Sequence, residues 1–266
     1  MTYVHPLFGI AMSEAQYADE WNENSRYFAE NHLYDWMLEQ LGSADLVLEV
    51  GCGSGASTSK IASSGKEILA IEVNKDAADA AVKNLTSAGH NAKILLPSDL
   101  PTWRPGGNEK VNILCADMFD EGIAAALPES TFDALLCWMT GSYPEHIATV
   151  LNKNYQSFEG SEMAAYRTKV QQRCYSVGAR TLKQGGIVHV VDRAAMMSWN
   201  DKDELRKMLA EMQGENAGPS YQIGKGDTMF KRLDKPFNTS RIQYVAPSEA
   251  SKAPVSALAS SKARKV

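Results

Sequence analysis

Leu46-Val47-Leu48-Glu49-Val50-Gly51-Cys52-Gly53-Ser54-Gly55 runs as an apolar strand, stops on three alternating glycines and passes into a helix-compatible stretch from Ala56 to Ala62. Glycines at that spacing let the backbone turn sharply and approach a ligand with no Cβ in the way, while the following helix presents unpaired N–H groups. The pattern predicts a strand–turn–helix unit that receives a nucleotide-type ligand. Gly51-x-Gly53-x-x-Ala56 also fits a dinucleotide fingerprint with alanine in its last place, so the spacing alone leaves two ligand classes open.

Downstream, Glu67–Val73 reads as a second buried strand, followed by a helical run from Asn74 to Ala88 and a stop at Gly89. Residues 97–110, with three prolines and two glycines, read as a loop before a third strand at Val111–Ala116. The run Lys93-Ile94-Leu95-Leu96 is ambiguous. A fourth strand at Phe132–Trp138, a long helix from about Glu162 to Leu182, a fifth strand at Ile187–Val191 and a helix over Asp201–Met212 complete an alternation that requires a mostly parallel sheet. Upstream, residues 14–41 hold apolar side chains at helical spacing behind an aromatic cluster that includes Tyr17 and Trp21. This segment is read either as a helix packed on the sheet or as a lid over the ligand crevice with Tyr17 or Trp21 facing the substrate.

Three acids fall at strand ends: Glu49 two residues before the first glycine, Glu72 after the second strand and Asp117 after the third. In this combination the chain resembles the class I S-adenosylmethionine-dependent methyltransferases, whose signature is an acid, a spacer and Gly-x-Gly-x-Gly after the first strand. The resemblance spans roughly residues 40–192, and more weakly the rest to about 247. It implies a doubly wound, Rossmann-like, mostly parallel α/β sheet closed by a C-terminal antiparallel edge hairpin, for which Tyr221–Phe230 and Arg241–Val245 are the candidate strands. Three segments are expected: an N-terminal helical cap over 1–41, the cofactor-binding domain over 42–247 and a disordered basic tail over 248–266.

The resemblance places S-adenosyl-L-methionine against Gly51, Cys52, Gly53 and Gly55, with Glu72 and its neighbour Val73 at the ribose, Asp117 at the adenine amino group and Met118 on the ring. Glu49 would lie near the amino-acid end, and Trp138 could border the methionine moiety. Glu72 alone supports a nucleoside without choosing the cofactor. Its bland reading is a solvated loop acid or helix cap, and that of Asp117 is an N-cap for a helix near Asp120. The three carboxylates together favour a cationic sulfonium and would repel a pyrophosphate, and the glycine loop offers no Lys or Arg before Lys60.

In the family the acceptor approaches at the end of the fourth strand, here Cys137-Trp138-Met139-Thr140-Gly141-Ser142-Tyr143-Pro144-Glu145-His146. This departs from the Asn/Asp/Ser-Pro-Pro-aromatic tetrad of enzymes that methylate amino groups of DNA bases, and of some that act on RNA or protein. A small-molecule acceptor is therefore favoured over DNA, RNA or protein. Tyr143 and His146 are the candidate catalytic residues, for deprotonating or orienting an acceptor hydroxyl. The competing reading of His146 is a helix cap or surface role. Asp192 stands by itself at the end of the fifth strand, so no metal site is expected.

A net charge of −5 disfavours a broad nucleic-acid footprint. The basic residues Arg167, Lys169, Arg173, Arg180 and Lys183 read as a solvated helix face, with phosphate binding as the alternative. Four scattered cysteines without a Cys-x-x-Cys pair read as reduced, buried thiols. With no recognisable leader and no run of about 18 apolar residues, a soluble cytoplasmic protein is expected. The rival functions are an NAD(P)-dependent oxidoreductase, an aminopropyl-transfer enzyme, and a methyltransferase-like protein that binds the cofactor without catalysis.

Overall fold

Strands buried on both faces need apolar side chains throughout, and the segments β1 (Leu46–Val50), β2 (Glu67–Glu72), β4 (Val111–Cys115) and β5 (Phe132–Trp138) meet that requirement almost without interruption. The computed structural model describes residues 14–154, 157–158, 161–233 and 255–266, with side chains described from Trp21 onward except at Glu23. Its remaining strands are β3 (Ala92–Leu95), β6 (Leu182–Met196), β7 (Tyr221–Gln222), β8 (Thr228–Arg232) and β9 (Val255–Lys265). The strand order is β3-β4-β2-β1-β5-β6-β9-β7, with β8 also paired to β9. Pairing is parallel from β3 to β6 and antiparallel around β9.

Helices cover both faces. α1 (Glu14–Glu30), α2 (Leu33–Glu39), α3 (Ala56–Ser63) and α4 (Lys75–Ser87) lie on one side, where Phe28, Met37, Ile61 and Ala81 pack with Val47 and Ile68. α5 (Glu121–Ala126), α6 (Pro144–Leu151), α7 (Glu162–Thr181) and α8 (Lys202–Ala217) follow on the chain. On this second face Ile147, Tyr166 and Cys174 pack with Leu48 and Leu135. The chain leaves β1 toward β2 in one direction and returns on its other side at β5, which makes the carboxyl end of β1 the switch point where open α/β sheets bind ligands.

The basic tail is corrected by the structure. Residues 255–265 form β9, an interior strand that pairs with β6 from Met196↔Val255 to Ile187↔Arg264 and with β7 and β8 on its other side. Ala257, Leu258, Ser260, Ser261 and Ala263 are all at or below 1% exposure. Backbone pairing on two sides holds the strand, so the small side chains that mimic a disordered composition are what fit there. Its cations cap the sheet end: Arg264 donates to the Gly185 carbonyl (2.9 Å) and Lys265 to that of Leu182 (2.7 Å). The same pairing carries β6 past Val191 to Met196. The expected strand at Arg241–Val245 lies outside the described residues, and the ambiguous run at 93–96 contributes edge strand β3.

A buried polar chain ties the layers together. The Trp138 indole N–H donates to His189 Nδ1 (3.0 Å), leaving Nε2 to donate to Ser260 Oγ (2.9 Å), which donates to Gln40 Oε1 (2.7 Å). Burial pushes the His189 imidazole down to about 3, so it folds neutral. A group whose folded value lies below its unfolded one contributes stability above the unfolded value and loses it as pH falls. Glu49, pushed up by burial from 4.5 to about 7, acts in the opposite sense over that interval. The difference in unfolding free energy between the native protein and His189→Gln isolates the histidine. That difference is expected to shrink by up to about 1.4 kcal/mol per pH unit below about pH 6.5 in urea titrations. A pH-independent difference would contradict the neutral buried imidazole.

Candidate functional site

The glycine loop after β1 turns through left-handed backbone at Gly51 (φ +76°), Gly53 (φ +53°) and Gly55 (φ +85°). A Cβ at Gly51 would sit 3.0 Å from the Thr140 methyl, and one at Gly55 would meet Ala81 at 3.2 Å. Gly51 thus admits the loop after β5, while Gly55 lets α3 start against α4. Thr140 Oγ1 donates back to the Val50 carbonyl (3.2 Å), fastening the β5 loop to β1. It follows Met139, a non-glycine residue at φ +54°, and such strained backbone clusters at functional sites.

Glu72, at the end of β2 and 8% exposed, accepts from the Gly53 N–H through Oε2 (2.8 Å) and from the Asn74 N–H through Oε1 (2.9 Å). Burial raises its pKa, and those two N–H bonds oppose the rise. Glu72 borders both hollows beside the loop. One is walled by Trp21, Gly51, Gly53 and Ser54, and the other by Val73, Asp117, Met118, His146 and Tyr166. Glu49 does not reach these walls. Its carboxylate accepts from Ser57 Oγ and from Thr58 Oγ1 (2.7 Å), pinning α3 to β1.

Asp117 follows β4 in an Asx turn, Oδ1 accepting from the Phe119 N–H (2.8 Å), while Oδ2 lies 3.1 Å from His146 Nε2. Half-burial pushes its carboxyl up, but the bonds from His146 and Phe119 outweigh it and leave the pKa below the ordinary value. The N-cap of α5 is Asp120, which accepts from the Gly122 N–H (2.7 Å), so Asp117 is not that cap. His146 is no surface residue: it is 8% exposed on α6, with Tyr166 Oη 3.3 Å from Nδ1. Tyr143 is the α6 N-cap residue, its ring centroid 5.8 Å from that of His146, and it does not line either hollow.

Trp21, on α1, closes the loop side. Its Cδ1 lies 3.1 Å from where a Gly53 Cβ would be, and the Arg193 guanidinium sits 5.5 Å over its ring. Tyr17's side chain is outside the described ones. Trp138 points away from the cleft to His189, and the Cys52 side chain packs in the core beside α2 and α3. Gly51, Gly53, Glu72, Val73, Asp117, Met118 and His146 therefore meet around one cleft. Glu49, Cys52, Gly55, Trp138 and Tyr143 stand behind or beside it.

The basic residues of α7, and Lys183 at the start of β6, bind carbonyls and carboxylates of this protein. Arg173 donates to the Met118 carbonyl (2.9 Å) and to Glu121 (2.9 Å), strapping the loop that carries Asp117. Arg167 pairs with Asp192 (3.3 Å), Arg180 donates to the Leu127 carbonyl (2.8 Å), Lys169 to that of Val150 (3.1 Å), and Lys183 pairs with Asp133 (2.6 Å). Lys60 is held by Asp35 at 2.5 Å. Among the described residues the cleft walls carry Glu72 and Asp117 and no lysine or arginine.

Residues 48–156 match the family model of a methyltransferase domain. Over those residues the chain is similar to methyltransferase domains. The match begins inside β1 and takes in the glycine loop, Glu72, Asp117 and His146. No curated protein sequence matches the chain. Among solved structures, the (4+2)-cyclase SpnF is 17% identical with a TM-score of 0.50, the alignment covering 88% of this chain and 80% of that one. MccD protein is 11% identical with a TM-score of 0.51, over 88% of this chain and 96% of that one. At these identities the likeness is one of fold, the Rossmann-like sheet with its antiparallel end. A cyclase among the neighbours shows that this fold does not by itself specify a reaction. No helix among the described residues is long and apolar enough to cross a membrane.

Proposed function

We propose that the domain binds S-adenosylmethionine and transfers its methyl group to a small-molecule acceptor. The observation that carries this reading is the state of the glycine loop. Its Gly53 N–H, the kind of donor a pyrophosphate needs, is already taken by the Glu72 carboxylate. With Asp117 as the second acid and no cation on the walls, the cleft suits a cationic sulfonium and opposes the diphosphate of NAD(P). The residues present thus fit the cofactor. Glu72 would hold the ribose hydroxyls, Asp117 the adenine amino group, and Val73 and Met118 the ring faces.

When bound, S-adenosylmethionine supplies an electrophilic methyl carbon to an acceptor lone pair, the carbon–sulfur electrons remaining on sulfur. The chain's own contribution is to bind, orient and exclude water. Arg173 and His146 hold the Asp117 loop, Thr140 fixes the β5 loop against Gly51, and Trp21 covers the glycines. His146 is committed to Asp117 and Tyr166, which makes it a positioning residue at the adenine side. Four free thiols, three of them buried, suit the reducing cytoplasm.

Asp117→Ala is expected to weaken S-adenosylhomocysteine binding by about 1–3 kcal/mol, the scale for removing a partner from a buried polar group. Equal affinity in a folded variant would detach Asp117 from the cofactor. Turnover separates an enzyme from a binding protein. Release of S-adenosylhomocysteine in an acceptor panel of small alcohols, amines and thiols is expected for the native protein, whereas tight binding with no turnover in any panel would favour the binding-only alternative.

A further inference from the structure

α8 carries Leu205, Met208, Leu209 and Met212 at the spacing of one helical face, the pattern of a helix that folds to bury that face. Its buried residues are nonetheless Ala210 and Gln213. The stripe walls a groove of about 350 Å³ whose floor is the sheet at Ala194, Ala259 and Phe230. Met208 and Met212 remain 56% and 48% exposed there. An apolar surface of this kind marks a binding site, and unbranched thioether side chains adapt to irregular apolar ligands.

The groove lies beside the cleft. Its inner wall, Gln171 and Asp192, also lines a closed hollow bounded by Thr140, Arg167 and Val170. Thr140 and Val170 are also walls of the hollow that holds Glu72 and Asp117. At the junction the Asp192 carboxylate accepts from Arg167 Nη1 (3.3 Å), Gln171 Nε2 (3.5 Å) and the Arg193 N–H (2.7 Å). Its side chain is still 21% exposed, and an ionised carboxylate has about four lone-pair positions, so a further donor can be accepted.

We infer, resting on the methyl-donor reading, that this groove seats the acceptor and that the acceptor is a small amphipathic alcohol, its apolar tail along α8 and its hydroxyl on Asp192. Arg167 already neutralises Asp192, so the junction suits a neutral hydroxyl better than an ammonium. The volume of about 350 Å³ falls at the lower end of small-molecule sites, which run about 300–1,000 Å³.

The test uses full-length protein labelled with ¹³C-methyl methionine and saturated with S-adenosylhomocysteine, titrated with 1-octanol. The Met208 and Met212 methyl resonances are expected to shift and saturate. Leu209→Trp, or Met212→Trp if the first variant does not fold, is expected to weaken octanol at least about tenfold by filling the groove, and Asp192→Asn to weaken it several-fold. S-adenosylhomocysteine affinity is expected to stay unchanged in the Trp variants. Unmoved Met208 and Met212 resonances overturn the inference while leaving the cofactor reading intact. So does equal octanol affinity in the filled variant. Failure of S-adenosylhomocysteine to bind at all overturns the methyl-donor reading instead.

Discussion

Replacing Glu72 with alanine is expected to weaken S-adenosylhomocysteine binding by about 1–3 kcal/mol, a loss of about 5- to 150-fold. Two effects act in the same direction. The ligand loses a carboxylate held at the end of β2, and the Gly53 and Asn74 N–H groups lose the acceptor that sets the loop. Glu72→Gln separates them. The amide keeps the shape and one acceptor oxygen, but it turns an NH₂ toward one of the two backbone donors, so an intermediate loss is expected. Calorimetry on variants shown to be folded by circular dichroism decides the matter, and an unchanged affinity for Glu72→Ala would remove Glu72 from the site.

Truncation before Val255 is expected to abolish the cooperative fold. β9 pairs with β6 at ten successive positions and carries β7 and β8 on its other edge. Without it, Val188, Val190 and His189 lose their neighbour, two short strands lose their only described pairing, and Gln40 loses Ser260. The unpaired backbone and exposed core exceed what a domain stable by about 5–15 kcal/mol can lose. Insoluble protein, or soluble protein without a thermal transition, is the expected outcome. A truncated chain that melts like the full-length protein would show β9 to be dispensable.

The glycine loop, the first strand and the acids at strand ends were legible because local constraints determine them. A positive φ demands glycine at Gly51, Gly53 and Gly55, and a doubly buried strand demands an apolar run. The order of elements placed Glu72 and Asp117 at one sheet edge for the same reason. Other features depend on partners distant in sequence. His146 is drawn inward by Asp117, 29 positions away, and by Tyr166 on α7. Trp138 is turned from the cleft by His189, 51 positions on. β9 had no hydrophobic signature because its place is secured by hydrogen bonding on both sides. Arg173 read as one of several surface cations, and nothing in its neighbours marked it as the residue that fastens the Met118 carbonyl.

The most direct test of the account is calorimetric titration of the purified protein with S-adenosylmethionine and S-adenosylhomocysteine, with NAD and NADP as parallel ligands. Saturable binding of both adenosyl ligands and none of the dinucleotides is the predicted result. Binding of NAD or NADP without either adenosyl ligand would contradict the reading of a cleft whose glycine N–H is already claimed by Glu72.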